Sequence, residues 1–167
     1  YRGWNRAILE SDERCVLVSS DHLFAPGWLE GLVRHYVPHR IIAAKTVEPG
    51  AALPEAHPTT FPAALQGVFG SATRGYDAEA FAAFAGARQS EGWERGGAHQ
   101  PVIFSRRAAM LAGLYPEGNL ADDLFANVRE YGDQDFFRRL AAHGVEHWTT
   151  LAAWAYHVGE GEMRTTC

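Results

Sequence analysis

Cysteine is nearly missing from this chain. Its 167 residues hold two, Cys15 inside a short apolar run and Cys167 at the end. Neither has metal-ligand spacing, which argues against a cysteine metal site and against a disulfide framework; a reducing, cytoplasmic setting is the expectation. Blocks of Lys and Arg are missing too, and the formal net charge is −5. That speaks against a broad nucleic-acid face and for small-molecule or carbohydrate chemistry. No apolar run approaches the length of a membrane span, and no signal peptide is visible. Peripheral membrane association stays open. Repeats and heptads are absent. So is an initiator Met, and the opening Tyr1-Arg2-Gly3-Trp4-Asn5 reads as the middle of a longer chain.

What is present fits one soluble domain with a single sizeable core. The organising stretch is Cys15 to Glu30. Cys15-Val16-Leu17-Val18 reads as a buried strand that stops at Ser19-Ser20-Asp21-His22. Pro26-Gly27 turns the chain into a helix over residues 27–36, ended by Pro38. Before it, Trp4, Ala7, Ile8 and Ser11 have helical spacing. After it, residues 41–47 read as a second strand, closed by Pro49-Gly50. Residues 49–75, with Pro54, Pro58 and Pro62, predict a long irregular excursion. A helix follows over residues 76–88, with Asp77 as its N-cap. Residues 101–104 predict a third strand. Helices are expected over 106–114, over 120–131 with Leu124, Phe125 and Val128 inward, and over 133–143 with Gly144 as C-terminal cap. Residues 147–157 close the pattern as a strand. Short buried strands mixed with helices indicate α/β.

Three clusters carry chemistry. Asp21 sits at a strand end, where α/β folds place ligands and where one carboxylate suffices for Mg²⁺ or Mn²⁺; it is equally suited to an Asx turn. His22 is adjacent in sequence, so strand alternation points it away from Asp21. Asp133 follows Gly132 at a helix start. It is either a first-turn residue or a general base aimed into a cleft. Asp135 and Arg139 lie four apart and can pair on the helix surface. His157 ends the last strand near Trp154 and Tyr156, as a packed residue or a ligand. Trp93 lies in a glycine-rich setting, as core packing or as a platform for a sugar ring.

Taken in order, these blocks resemble an inverting glycosyltransferase of the GT-A fold, family 2. Val16-Leu17-Val18-Ser19-Ser20-Asp21-His22, followed by Pro26-Gly27-Trp28-Leu29, is similar to that family's metal-binding DxD strand and the helix after it. Gly3 to Ile8 resembles the Asn-containing helix before it. Pro101 to Arg107 with Leu114-Tyr115-Pro116-Glu117 resembles the acceptor-side strand and helix. Tyr131 to Leu140 with Gly144 resembles the block carrying the catalytic base, and Tyr156-His157 the C-terminal His that reaches the metal.

The resemblance implies a Rossmann-like mixed sheet flanked by helices, in one domain spanning 1–167, with residues 49–100 as an acceptor-side insertion. It implies hexosyl transfer from a nucleotide-diphosphate sugar to the hydroxyl of a carbohydrate or lipid-linked acceptor. Mn²⁺ or Mg²⁺ would be held by Asp21 and His157. Asn5, Ser19 and Asp21 would line the donor site. Asp133 would be the base, with Asp135 and Arg139 orienting it or the acceptor. Three departures stand out. Ser19 replaces the first Asp of DxD, Gly132 replaces the Glu before the base, and the family's N-terminal nucleotide-base-binding βαβ unit has no counterpart here. Two rivals remain: a metal-dependent hydrolase using Asp21, His22 and His157, and a non-catalytic GT-A-like binding module.

Overall fold

The structure, a computed structural model, describes residues 1–49, 65–67, 69–71, 75–117, 120–121 and 128–158. In chain order the elements are helix α1 (Arg2–Glu10), strands β1 (Arg14–Leu17) and β2 (His22–Phe24), and helix α2 (Trp28–Arg34). The long strand β3 (Arg40–Pro49) is followed by β4 (Leu65–Gly67), β5 (Gly70–Ser71) and β6 (Gly75–Tyr76). Then come α3 (Ala78–Gly86), β7 (Trp93–Arg95), β8 (Val102–Ser105) and α4 (Arg106–Leu111). Strands β9 (Leu120–Ala121) and β10 (Val128–Glu130), helix α5 (Gly132–Ala142) and strand β11 (Glu146–His157) complete the described chain.

The main sheet runs β1-β8-β3-β11-β2, with β4 added beside β3 and β7 beside β11. β8 is antiparallel to both β1 and β3, so β1 and β3 point the same way. β11 is parallel to β3, and its register slips between Thr150 and Trp154. The chain is thus α/β with a mixed sheet flanked by helices. The carboxyl ends of β1, β3 and β11 face one direction, and it is at such ends that loops collect ligands.

Strand alternation sorts the core. Ile41 and Ala43 face α1, α4 and α5 and pack with Ile8, Phe104, Phe136, Phe137 and Leu140. Ile42 and Ala44 face the other way and pack with Leu32 of α2 and with Ala153 and Ala155 of β11. α2 lies close against β11. A Cβ at Gly31 would come 2.4 Å from the Ala152 carbonyl oxygen, so only glycine allows that approach. Around the far end of β3, Val47, Trp154 and Tyr156 pack with Phe69, Phe81 and Ala85.

Most sequence-read elements form. Asp77 caps α3, its Oδ1 accepting the Ala80 amide at 2.9 Å. Gly144 takes φ +76° past α5, and the Val145 amide returns to the Leu140 carbonyl at 3.1 Å. Two expectations need correction. Residues 120–131 are not one helix: Leu120–Ala121 and Val128–Glu130 pair as antiparallel strands. Scattered apolar positions over a dozen residues fit a hairpin as readily as a helix. Leu124 and Phe125 lie outside the described residues. Nor is the stretch 49–75 irregular throughout: Leu65–Gly67 pairs with β3, and Gly70–Ser71 pairs with Gly75–Tyr76. Pro54, Pro58, Pro62 and the segment 159–162 lie outside the described residues.

Among the described residues, no helix is long and apolar enough to cross a membrane.

Candidate functional site

Three strands bring one polar group together. β2 pairs with β11 so that His22 lies opposite His157. The two imidazoles stack, with centroids 4.8 Å apart and planes 14° from parallel. Asp21 precedes β2 in the turn, and its carbonyl accepts the Val158 amide at 2.8 Å. That bond fixes Asp21 beside both rings. Its Oδ2 lies 3.1 Å from His157 Nε2, and its Oδ1 lies 3.1 Å from His22 Nδ1. Glu48, from the end of β3, reaches the other side of His157, with Oε2 2.8 Å from Nδ1.

The electrostatics follow from these contacts. Hydrogen bonds from His157 and His22, aided by Ser19, hold the Asp21 carboxyl far below the usual carboxylate range despite its burial. Burial opposes charge on His157, but its bonds to Asp21 and Glu48 outweigh that and raise it to about 10. The His157 ring therefore rests between two carboxylates that favour positive charge there, either its own proton or a metal ion that displaces that proton.

The ligand atoms of Asp21, His22 and His157 all lie within 4.8 Å of one another. Two imidazole nitrogens and a carboxylate suit a first-row transition ion better than Mg²⁺, which prefers an all-oxygen shell. The three residues could together hold a metal ion. Glu48 on the far nitrogen of His157 is the carboxylate brace that metal-binding histidines commonly carry.

Other sequence-predicted site residues lie elsewhere. Ser19 joins the group through its bond to Asp21. Asn5 does not. Its amide brackets the Tyr115 backbone, donating to the carbonyl at 2.8 Å and accepting from the N–H at 2.9 Å. Asp135 is 6% exposed. Both its oxygens are taken, one by Arg138 and the other by Arg139 Nε at 2.8 Å, so it serves α5 rather than an open cleft. Trp93 is partly exposed on β7 and stacks on His35 at 4.6 Å.

Asp133 forms a second centre. Its Oδ2 lies 2.9 Å from His99 Nδ1, and its Oδ1 accepts the Gln134 amide at 2.9 Å. Burial raises its pKa, but these bonds prevail and lower it, leaving an ionised carboxylate. His99 stacks on Phe137 at 4.2 Å, and Phe137 in turn touches His147 at 5.1 Å.

His147 gives this region a pH signature. Burial, with His99 nearby, pushes it down to about 4, against a hydrogen bond to the Ala98 backbone. It is neutral in the folded chain, whereas the unfolded chain protonates it near 6.5. Its contribution is therefore full above about 6.5 and is lost as the pH falls toward about 4, a change of about 3 kcal/mol. Urea denaturation at about pH 7 and about pH 4.5 should show this loss. His147→Phe should flatten it, and an unchanged acid slope in that variant would reject the assignment.

Sequence reasoning grouped His22 with Asp21 and His157 only under the rival hydrolase, and it missed Glu48. The alternation that turned His22 away applies within a strand, and Asp21 lies in the turn before one. Glu48 did carry a signal: it is an acid closing an apolar strand, the same pattern that singled out Asp21. His99 offered none.

Comparison of the chain with protein-family models, with curated proteins and with solved structures returns no match.

Proposed function

We propose that this chain is the metal-binding and acceptor-side part of a GT-A glycosyltransferase, transferring a sugar from a nucleotide-diphosphate donor to an acceptor hydroxyl with inversion. The observation that carries this reading is the Asp21 carboxylate held between His157 and His22 at the carboxyl end of the parallel strands. The order of the sequence blocks, from Asp21 through Asp133 to His157, supports it.

Asp21, His157 and His22 would hold Mn²⁺. When bound, the ion would offset the charge growing on the leaving diphosphate. Glu48 keeps His157 oriented. Asp133, ionised and placed by His99, would accept the proton of the attacking hydroxyl. The pairing of Asp135 with Arg139 fixes the start of α5 and so the aim of Asp133.

A second reading draws on one observation. His22 joins Asp21 and His157, and two histidines with one carboxylate also form the ligand set of water-activating hydrolases. One experiment separates the two. Calorimetric titration of UDP with and without Mn²⁺ should show metal-dependent nucleotide binding under the transfer reading. Hydrolysis of p-nitrophenyl phosphate or acetate by the Mn²⁺- or Zn²⁺-loaded chain, with no UDP binding, would reject transfer.

A further inference from the structure

An open cleft of about 450 Å³ lies between the turn before β1 and helix α4, lined by Asp12, Glu13, Arg106, Arg107, Met110 and Leu111. That is room enough for a small ligand. The cleft sits where β1 begins, whereas Asp21 follows the strand's other end, and it shares no residue with the metal group or with the Asp133 centre. Strand β8 runs straight into α4 at Ser105, whose Oγ accepts the Ala108 amide at 3.1 Å. The Arg106 amide bonds the Glu13 carbonyl at 2.9 Å, which holds α4 against the turn. Ala108, Ala109 and Ala112 are buried in the core, so the larger side chains of α4 face outward. Arg106 and Met110 are four apart, as are Arg107 and Leu111. The two arginines therefore stand one turn before two apolar side chains on the same side of the helix. Met110 and Leu111 are both more than half exposed. The charges of the cleft are little used by the fold. Among the described residues neither arginine pairs with a carboxylate. Arg106 donates to the Ser11 carbonyl at 3.3 Å, and the side chains of Arg107 and Asp12 bond no protein group. Glu13 is the exception, its Oε1 accepting the Tyr36 phenol at 3.3 Å.

We propose that this cleft binds a free apolar α-amino acid, of the leucine or phenylalanine type. The lining selects the ligand. Two guanidiniums suit a carboxylate, which their planar forks bind through paired N–H donors. The Asp12 carboxylate in the same wall suits an ammonium. Met110 and Leu111 supply an apolar wall, and a methionine thioether adapts to side chains of differing shape. A fatty carboxylate would satisfy the arginines but bring no positive group to Asp12. An inorganic anion would leave the apolar wall uncovered and meet Asp12 and Glu13 with like charge. A neutral sugar would bring no charge to either arginine. A ligand carrying both charges and an apolar body uses every part of the lining. The proposal does not rest on the transfer reading, since none of these residues belongs to the groups that carry it.

The test uses the full chain with ¹³C-methyl-labelled methionine. The chain has two methionines, Met110 and Met163, and a Met163→Leu variant identifies the Met110 signal. L-leucine and L-phenylalanine are titrated in, then the N-acetyl and amide derivatives of each, glycine and inorganic phosphate. At least one of the two amino acids should shift the Met110 methyl saturably. Its N-acetyl derivative lacks the ammonium, its amide lacks the carboxylate, and glycine lacks the apolar body. Each of these, and phosphate, should bind at least about tenfold more weakly. Arg107→Gln and Asp12→Asn should each weaken the amino acid by about tenfold. Both should keep the wild-type urea midpoint, because neither side chain bonds the rest of the fold. The proposal is overturned if neither amino acid moves the Met110 methyl. It is equally overturned if a derivative or phosphate binds as tightly as the parent amino acid, or if either variant binds it as wild type does.

Discussion

Replacing Asp21 with Ala should lower Mn²⁺ affinity by about 100-fold or more. The carboxylate has three roles at once. It would be the one anionic ligand among the three grouped residues, it bonds His157 Nε2 at 3.1 Å, and it bonds His22 Nδ1 at the same distance. Its removal leaves two imidazoles with no charge to offset the cation, and His157 with Glu48 as its remaining anchor. Glu48→Gln should weaken binding by about tenfold, because it alters how a ligand is held without deleting one. The ranking matters more than either value. Calorimetric titration of Mn²⁺ into the three chains measures it, with Mg²⁺ as the comparison ion. The nitrogen donors predict tighter binding of Mn²⁺ than of Mg²⁺. Equal Mn²⁺ binding by wild type and Asp21→Ala would reject the metal role, and a larger loss in Glu48→Gln than in Asp21→Ala would mean the ligands are misassigned.

How far this site could be read from the chain depends on how local its determinants are. Asp21 and His157 stood out because each ends an apolar run, and the ends of buried strands are where ligands gather. Their partnership came only from the resemblance and not from the residues themselves. It depends on β2 folding back beside β11, and a three-residue strand, His-Leu-Phe, is too short to show alternation. Glu48 was readable by the same rule as Asp21 but was passed over at the edge of a proline-rich stretch. The helices with a continuous apolar face, α1, α3 and α5, were legible within a residue or two. The pair β9 and β10 was not, since nothing in Leu120 to Tyr131 separates a helix period from two short strands. Asn5 shows a different limit. An amide on a helix can face a ligand or a backbone, and only the fold reveals that it brackets Tyr115. Asp135 shows the same limit for a carboxylate.

Asp135→Ala should destabilise the chain by about 3 kcal/mol, equivalent to roughly 10 °C in Tm for a domain of this size. Asp135 is buried, and both of its oxygens bind arginines. Arg139 is what makes the pair consequential. Beyond Asp135 it donates to the carbonyls of Ala112 and Leu114, in the turn after α4. Leu114 there has φ +64°, a left-handed conformation that is strained for a branched residue and needs surrounding bonds to persist. The next residue is Tyr115, bracketed by Asn5 and carrying an unpaired hydroxyl near Asp133. The carboxylate thus supports a chain of contacts from α5 through Arg139 and the strained turn to Tyr115. Removing it leaves a partly buried guanidinium without its counter-charge and loosens that turn. Asp135→Asn keeps the shape and one acceptor, so its loss should fall between wild type and Ala. Urea denaturation of the three chains measures the order. If Asp135→Ala keeps wild-type stability while transfer is lost, the carboxylate acts in catalysis and the structural assignment fails. If stability falls and transfer per folded molecule falls with it, Asp135 is a positioning residue for Asp133; if transfer per folded molecule holds, Asp135 serves the fold alone.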